Sequence, residues 1–402
     1  MPKRLHKIEF IALMAMIFAS IAFSVDSMLP ALPDIGQELS PNDVNRAQLV
    51  LTVFLLGMGV ATMVTGPLSD SYGRKPIVFA GFTLYAVGAV LAWIAPTLEM
   101  LLFARLLQGF GIAGPRAVGI AIIRDLFSGR EMARMMSFVM MVFTLVPAIA
   151  PLLGAYIIGV VGWRGLFLAF ILFAVVVCGW LMVRQEETLP AEKRRPFRAG
   201  PLWAAFKEVL SYPVVRMSVL IQSLSFASLF AMLSSVQQIY DITYDRADSF
   251  PAWFAIVSLL AGTSSLLNAF VVVRFGIRAV VTTTLAVQIL VSGAMIVILS
   301  GGLWGEVAFF LFVFWQTTIF FQAGLTIGNI NALGMEPVGH IAGMAASLIS
   351  SAATILSAAL AIPVGLAFNG TEFPLAIGVF LFSVGGVALM LWLRRIENTV
   401  SE

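Results

Sequence analysis

The stretch at residues 102–119, LFARLLQGFGIAGPRAVG, lies inside a long apolar segment and carries two arginines and four glycines. Arg105 and Arg116 are eleven residues apart. On an α-helix this separation is about 20° more than three full turns and about 16 Å of rise, so both side chains point the same way, with Gln108 near the same line. An arginine in the middle of a membrane helix costs roughly 2.5–3.5 kcal/mol and needs a partner, a wet cavity or a function. The stretch therefore predicts a membrane helix that lines a cavity.

The composition extends this interpretation to the whole chain. Of 402 residues, 60% are hydrophobic and only 11% are charged, whereas a soluble domain carries about 25% charged residues. One cysteine and two histidines provide neither a disulfide framework nor a metal-ligand cluster, and the sequence has no GxxxxGK[ST] phosphate loop. We expect a polytopic helical protein of the lipid bilayer, with no cofactor, no metal site and no nucleic-acid partner.

Twelve apolar segments are long enough to span a membrane. They are predicted at residues 8–29, 47–68, 77–96, 100–122, 134–158, 165–184, 213–238, 250–272, 279–300, 303–327, 341–367 and 374–393. If the N-terminus is cytoplasmic, nineteen Lys and Arg residues lie in inside segments and three in outside segments, with the two membrane arginines left over. The positive-inside rule therefore predicts that both termini are cytoplasmic.

A polar, basic segment divides the spans into six and six. We predict an N-terminal bundle at residues 1–184, a cytoplasmic linker at 185–212 and a C-terminal bundle at 213–402. The linker is either a flexible tether or a contact with lipid headgroups. A short basic glycine turn follows the second span at Gly73 and the eighth at Gly276. This echo suggests an internal repeat, which is the usual plan of a secondary transporter.

Three motifs resemble those of the major facilitator superfamily. The loop GPLSDSYGRKP at residues 66–76 is similar to its signature loop, although Ser71 stands where the family usually has arginine. RLLQGFG at 105–111 matches the R-x-x-Q-G-x-G motif of proton-driven members. VPAIAPLLG at 146–154 is similar to the antiporter motif, with Ala150 in place of its usual glycine.

Two further segments occur together in this chain, DSMLP at residues 26–30 and EPVGH at 336–340, and they point to one subgroup of the superfamily. Together these segments resemble the bicyclomycin/chloramphenicol-resistance (Bcr/CflA) group of twelve-helix drug:proton antiporters. The resemblance implies a monomeric transporter of the bacterial inner membrane, built as two pseudo-symmetric six-helix bundles. It implies export of small amphipathic drugs, such as phenicols or bicyclomycin-like compounds, in exchange for protons. An uptake permease for a metabolite is the alternative, and a receptor or membrane-embedded enzyme is a remoter one.

Asp26 is the only acidic residue that the predicted spans place well within the membrane. Its depth, near the outer end of the first helix, favours a pairing with Arg105, near the outer start of the fourth. A carboxyl group in such a place can bind a proton on one side of the membrane and release it on the other. We therefore assign proton coupling to Asp26 and Arg105. The alternative is a static ion pair that holds two helices together.

The candidate cargo cavity combines amides, an aromatic ring and an arginine. Its residues are Gln108, Arg116, Gln222, Phe226, Gln316 and Gln322. Arg116 either binds a polar or anionic group of the cargo or donates to the free carbonyl groups at the end of a helix. Phe226 either lines the cavity or is a lipid-facing or core residue. Two membrane arginines against one membrane acid favour neutral, zwitterionic or weakly acidic cargo over lipophilic dications.

Two further sets of residues are assigned to moving parts. A cytoplasmic gate, or alternatively a solvated loop face, is predicted from Gly66, Asp70, Gly73, Arg74, Lys75, Arg124 and Asp125. A hinge that keeps the path proton-tight is predicted in the fifth span, where prolines remove backbone hydrogen bonds. Its residues share one helical face: Pro147, Pro151 and Gly154. The other interpretation of that face is a packing groove against the eighth helix.

Overall fold

The structure, a computed structural model, describes residues 5–194, 196–197, 199–302 and 305–401. Four basic residues of the charge count lie outside this part: Lys3, Arg4, Arg195 and Arg198. The α-helices are α1 (Lys7–Asp26), α2 (Leu32–Leu39), α3 (Leu49–Tyr72), α4 (Arg74–Trp93), α5 (Leu98–Leu126), α6 (Gly129–Val161), α7 (Gly165–Arg184), α8 (Ala199–Ser211), α9 (Pro213–Gln238), α10 (Phe250–Phe275), α11 (Ile277–Ser300), α12 (Glu306–Met335), α13 (Ala342–Leu366) and α14 (Phe373–Ser401).

Twelve stretches of the described residues are long and apolar enough to cross a membrane, which confirms the predicted number of spans and the all-α fold class. The first is longer than predicted, because it runs from Lys7 to Leu39 rather than ending near residue 29. It is broken after Asp26, where α1 ends and a short 3₁₀ turn leads into α2. Pro30 lacks the amide hydrogen that would bond to the carbonyl of Asp26, so the sequence itself ends the helix there.

The chain forms two compact units. The first comprises Met1–Asn42 and Val53–Ala199, and the second comprises Asp43–Thr52 and Gly200–Glu402. In the first unit α4 packs against α5 and α7, and α1 packs against α6. In the second unit α9 packs against α12, α13 and α14. Part of the predicted linker is helical, since it contains α8.

The glycine turn that the sequence repeats in each half is present in both places in the structure. Gly73 immediately precedes α4 with φ 104°, and Gly276 immediately precedes α11 with φ 81°. Both values lie in the left-handed region, which glycine adopts without the steric cost that a Cβ would add. The two sharp turns therefore require the residue type that the sequence supplies at both places.

Several faces of the spans are apolar and exposed, as expected of helices in lipid. Val273 is 86% exposed and Phe270 77% exposed on α10. The only cysteine, Cys178 on α7, is buried and free. The outer surface of these helices is thus suited to lipid rather than to water.

Candidate functional site

Glycines on α5 bring this helix into backbone contact with both of its neighbours. A Cβ on Gly109 would collide with the carbonyl oxygen of Phe54 and come within 2.8 Å of the amide nitrogen of Met58, both on α3. A Cβ on Gly111 would collide with the amide nitrogen of Tyr85 on α4 and come within 2.6 Å of the Gly81 carbonyl oxygen. The position of Arg105 and Gln108 on α5 is therefore fixed by close backbone packing on two sides.

The Arg105 guanidinium is fully buried within the first unit. Its Nη1 donates to Gln108 Oε1 at 3.0 Å, and its Nη2 donates to the Ser24 carbonyl oxygen of α1 at 3.0 Å. Its guanidinium carbon lies 4.3 Å from the centre of the Phe54 ring. The Ser24 hydroxyl in turn lies 2.5 Å from the hydroxyl of Tyr85. Arg105 is thus attached to the backbone of α1 two residues before Asp26.

Asp26 is 5% exposed at the last position of α1. The predicted pairing of this carboxyl group with Arg105 is not found among the ion pairs of the described residues. The Arg105 guanidinium donates to the Ser24 carbonyl oxygen and to Gln108 instead. The predicted pairing with Arg105 is therefore not seen within the described residues, and the coupling role of both groups stays a prediction.

The face of α6 that carries the antiporter-like motif packs against the end of α1. A Cβ on Gly154 would collide with the carbonyl oxygen of Ser27, the residue that follows Asp26. Pro147 and Pro151 lie inside α6 without ending it. Gly154 therefore places the motif directly beside the candidate coupling residue, which the sequence alone did not indicate.

Arg116 is partly exposed and has one described contact. Its Nη1 lies 3.8 Å from the thioether sulfur of Met58. A thioether is a weak acceptor and cannot balance a guanidinium charge. Within the described residues this contact does not supply the polar partner that an arginine in a span requires, so the group is available to a ligand.

The amides predicted in the second unit are buried, and several of their polar atoms lack partners in the described structure. Gln222 is 1% exposed on α9, and Gln322 is 2% exposed on α12. The Oε1 atoms of both have no hydrogen-bond partner, and neither does Nε2 of Gln316, whose Oε1 accepts from Tyr240 at 3.0 Å. Phe226 stacks on Phe230 with ring centres 5.4 Å apart. Buried amides without partners are unusual in folded proteins and indicate sites for water or a ligand.

Three of the predicted gate residues, Asp70, Arg74 and Asp125, form a network of ion pairs, and Arg124 does not contact it. The Arg74 side chain is 3% exposed and donates to Asp125 at 2.9 Å, to Asp70 at 2.5 Å and to the Ser69 hydroxyl at 2.7 Å. Arg124 is exposed and makes none of the described contacts of this network. Adjacent residues on a helix point about 100° apart, so Arg124 lies outside this network within the described residues, and its place in the gate stays a prediction.

The segment after α7 completes this network. Glu187 accepts hydrogen bonds from the backbone amides of Arg74 and Lys75, each at 3.0 Å. These amides belong to the first turn of α4, where backbone donors lack partners within the helix and favour a negative charge. The Lys75 ammonium donates to the Met182 carbonyl oxygen at 2.9 Å.

A Cβ at Gly66 would meet nothing within 4 Å, so packing does not demand this signature glycine.

We expect Asp125→Asn to lower both the melting temperature and the transport rate. The change leaves the buried Arg74 guanidinium with Asp70 as its remaining carboxylate, and a hydrogen bond to a charged group contributes about 2 kcal/mol. Arg124→Gln is the matched control, because it alters a neighbouring charge that is outside the network. Thermal unfolding in detergent checks the result, and equal melting temperatures for the two variants would contradict it.

Sequence reasoning missed three buried or capping groups. Tyr85 and Glu187 are described above, and Glu372, just before α14, is 1% exposed. The only sequence signal for Tyr85 is its place between Gly81 and Gly88, where helices approach closely. Glu372 follows an Asn-Gly-Thr turn, a pattern typical of solvated loops, so its burial could not be anticipated.

Comparisons with known proteins agree with these observations. Residues 12–362 match the family model described as the Major Facilitator Superfamily. An uncharacterized MFS-type transporter, YdgK of Bacillus subtilis, is 28% identical over 375 residues, or 90% of each chain. A bicyclomycin resistance protein homolog of Haemophilus influenzae is 30% identical over 344 residues, or 82% of each chain. The multidrug resistance protein MdtL of Shewanella oneidensis is 26% identical and covers 94% of this chain and 93% of its own.

Solved structures show the same fold at low sequence identity. A D-xylose-proton symporter superposes with a TM-score of 0.76 at 13% identity, covering 95% of this chain and 96% of its own. The human organic anion transporter MFSD10 (TETRAN) superposes with a TM-score of 0.63 at 17% identity, covering 96% of this chain and all of its own.

Proposed function

We propose, from the premise that this chain belongs to the major facilitator superfamily and is a membrane transporter rather than an enzyme, that it exports small amphipathic compounds in exchange for protons. Relatives named for bicyclomycin and multidrug resistance support a place near the bicyclomycin/chloramphenicol group. The cargo class is then phenicols, bicyclomycin-like compounds or metabolites of similar polarity. The proposal includes a bacterial inner-membrane location, cytoplasmic termini and action as a monomer.

The observation that carries the proposal is the environment of Asp26. The carboxyl group is buried at a helix break and takes part in none of the described ion pairs. An unpaired carboxylate in a membrane interior is costly, and the cost falls when the site opens to water. A group with these properties binds or releases a proton as its surroundings change, which is the property that proton coupling requires.

The polar groups left without partners support the cargo class. Arg116 has a thioether as its described contact, and the free amide atoms of Gln222 and Gln322 are buried. Arg105, by contrast, is held by Gln108 and Ser24. A cargo with hydrogen-bonding groups on a small apolar body suits the arginine of the first unit and, separately, the amides of the second unit better than a lipophilic dication does.

The antiporter-like motif on α6 favours export over uptake. Gly154 lies against Ser27, next to the residue assigned to proton coupling. In the symport alternative, cargo and proton would move in the same direction. The transporter assignment is common to both alternatives, so the direction of exchange is the point to measure.

The test uses energised inverted membrane vesicles with an acidic interior, monitored by a pH-sensitive dye. Chloramphenicol, florfenicol and a quaternary dication are added in turn to vesicles with and without the chain. A phenicol added outside should dissipate the pH gradient only where the chain is present, and the dication should not. A response that requires cargo preloaded inside the vesicles would indicate symport and would contradict the proposal, as would a dication response equal to that of a phenicol.

A further inference from the structure

The second unit contains a cavity of about 250 Å³ where three connections meet. It lies between the ends of α9, α11 and α13 and the starts of α12 and α14. Its polar wall includes Tyr244, Asn369, Thr371 and Glu372, and its apolar wall includes Leu299 and Phe373. None of the residues assigned to cargo or to proton coupling lines it.

Glu372 makes this cavity chemically unusual. The side chain is 1% exposed, and its Oε2 atom has no hydrogen-bond partner among the described residues. It takes part in none of the described ion pairs, and Arg246 in the α9–α10 connection is paired with Glu306. A carboxylate buried without a counter-cation is costly, so a cation that enters the cavity gains a strong electrostatic partner.

The remaining wall selects the shape of that cation. The Tyr244 hydroxyl donates to the Ala308 carbonyl oxygen at 3.2 Å, which fixes its ring at the cavity. Burial, and after it the nearby Glu372 carboxylate, raises the pKa of Tyr244. Asn369 Oδ1 accepts from the Thr371 hydroxyl at 2.7 Å, which orders the turn before Glu372. Aromatic faces beside a carboxylate attract an ammonium group attached to a small apolar body.

We propose that this cavity is a binding site for small primary ammonium compounds, with Glu372 as the anionic partner and Tyr244 and Phe373 as the walls for the organic part. Its volume is below the usual range of about 300–1,000 Å³ for drug-sized ligands, so the ligand is smaller than a phenicol. The site is separate from the cargo residues and binds a cation, whereas the cargo is neutral or weakly acidic.

The test measures binding of benzylammonium to the purified full chain in detergent by calorimetry, with benzyl alcohol as the neutral isostere. Benzylammonium should bind the unaltered chain about tenfold or more tightly than benzyl alcohol does, as a charged hydrogen bond implies. Glu372→Gln should weaken benzylammonium binding by a similar factor. Asp248→Asn is the matched control, since it removes an exposed acid from the α9–α10 connection and should leave binding unchanged.

A second variant guards against a folding defect in Glu372→Gln. Leu299→Trp keeps the carboxylate but fills part of the cavity, and it should also weaken benzylammonium binding. The proposal is overturned if the unaltered chain binds no benzylammonium, if benzyl alcohol binds equally well, or if either cavity variant binds benzylammonium as the unaltered chain does.

Discussion

Asp26→Asn is expected to reduce cargo-driven proton movement to the level of vesicles that lack the chain. Asparagine has nearly the same size and can form hydrogen bonds, but it cannot bind and release a proton. The end of α1 should therefore keep the packing of Ser27 against Gly154 while the buried position 26 loses its titratable group. The measurement is dissipation of a pH gradient by a cargo identified with the unaltered chain.

Two controls separate a coupling role from a structural one. Asp34→Asn alters an exposed acid on the neighbouring helix α2 and should retain full proton movement. Exchange of labelled for unlabelled cargo without net proton movement should persist in Asp26→Asn, because it requires binding and conformational change only. Proton movement in Asp26→Asn at the level of the unaltered chain would show that the carboxyl group is structural.

Gly109→Ala is expected to cause the largest loss of stability among single-methyl additions on α5. The new methyl group would collide with the Phe54 carbonyl oxygen and approach the Gly57 Cα to 3.1 Å. Overpacking typically costs about 1–3 kcal/mol. Here the obstacles are backbone atoms that cannot change rotamer, so the cost lies at the upper end of that range. Folded yield and melting temperature in detergent measure the effect.

Gly66→Ala is the matched control for that change. Both glycines belong to motifs that resemble those of the family, but a Cβ at Gly66 would meet open space. Alanine at this position should leave the melting temperature unchanged. If Gly66→Ala and Gly109→Ala lower it equally, helix packing does not explain the glycine on α5.

Patterns of length and polarity predicted the architecture well. Runs of apolar residues indicated the twelve spans, and the glycines at 73 and 276 marked sharp turns that the structure places at φ 104° and 81°. The break after Asp26 was missed although Pro30 signals it. The reason is that hydropathy continues across the proline, and a membrane span was identified by hydropathy alone.

Side-chain partners could not be predicted to the same degree. Arg105 and Asp26 were predicted to lie at similar depth, but a long guanidinium can reach several acceptors, and it contacts the Ser24 carbonyl and Gln108. Asp125 joins Arg74 whereas its neighbour Arg124 does not. The roles assigned to the cargo, coupling and hinge residues stay predictions, because position along a helix does not determine what a side chain contacts.

Cys178 has a practical consequence for thiol chemistry. It is the only cysteine of the chain and is 8% exposed on α7. A maleimide reacts with a thiolate that it can reach in water, so a cysteine buried among apolar groups is nearly inert. The unaltered chain should therefore show almost no maleimide labelling. A cysteine introduced into any connection between spans would be labelled by a membrane-impermeant maleimide only if it faces the side to which the reagent is added, so the sidedness of each connection can be determined without first removing the native thiol.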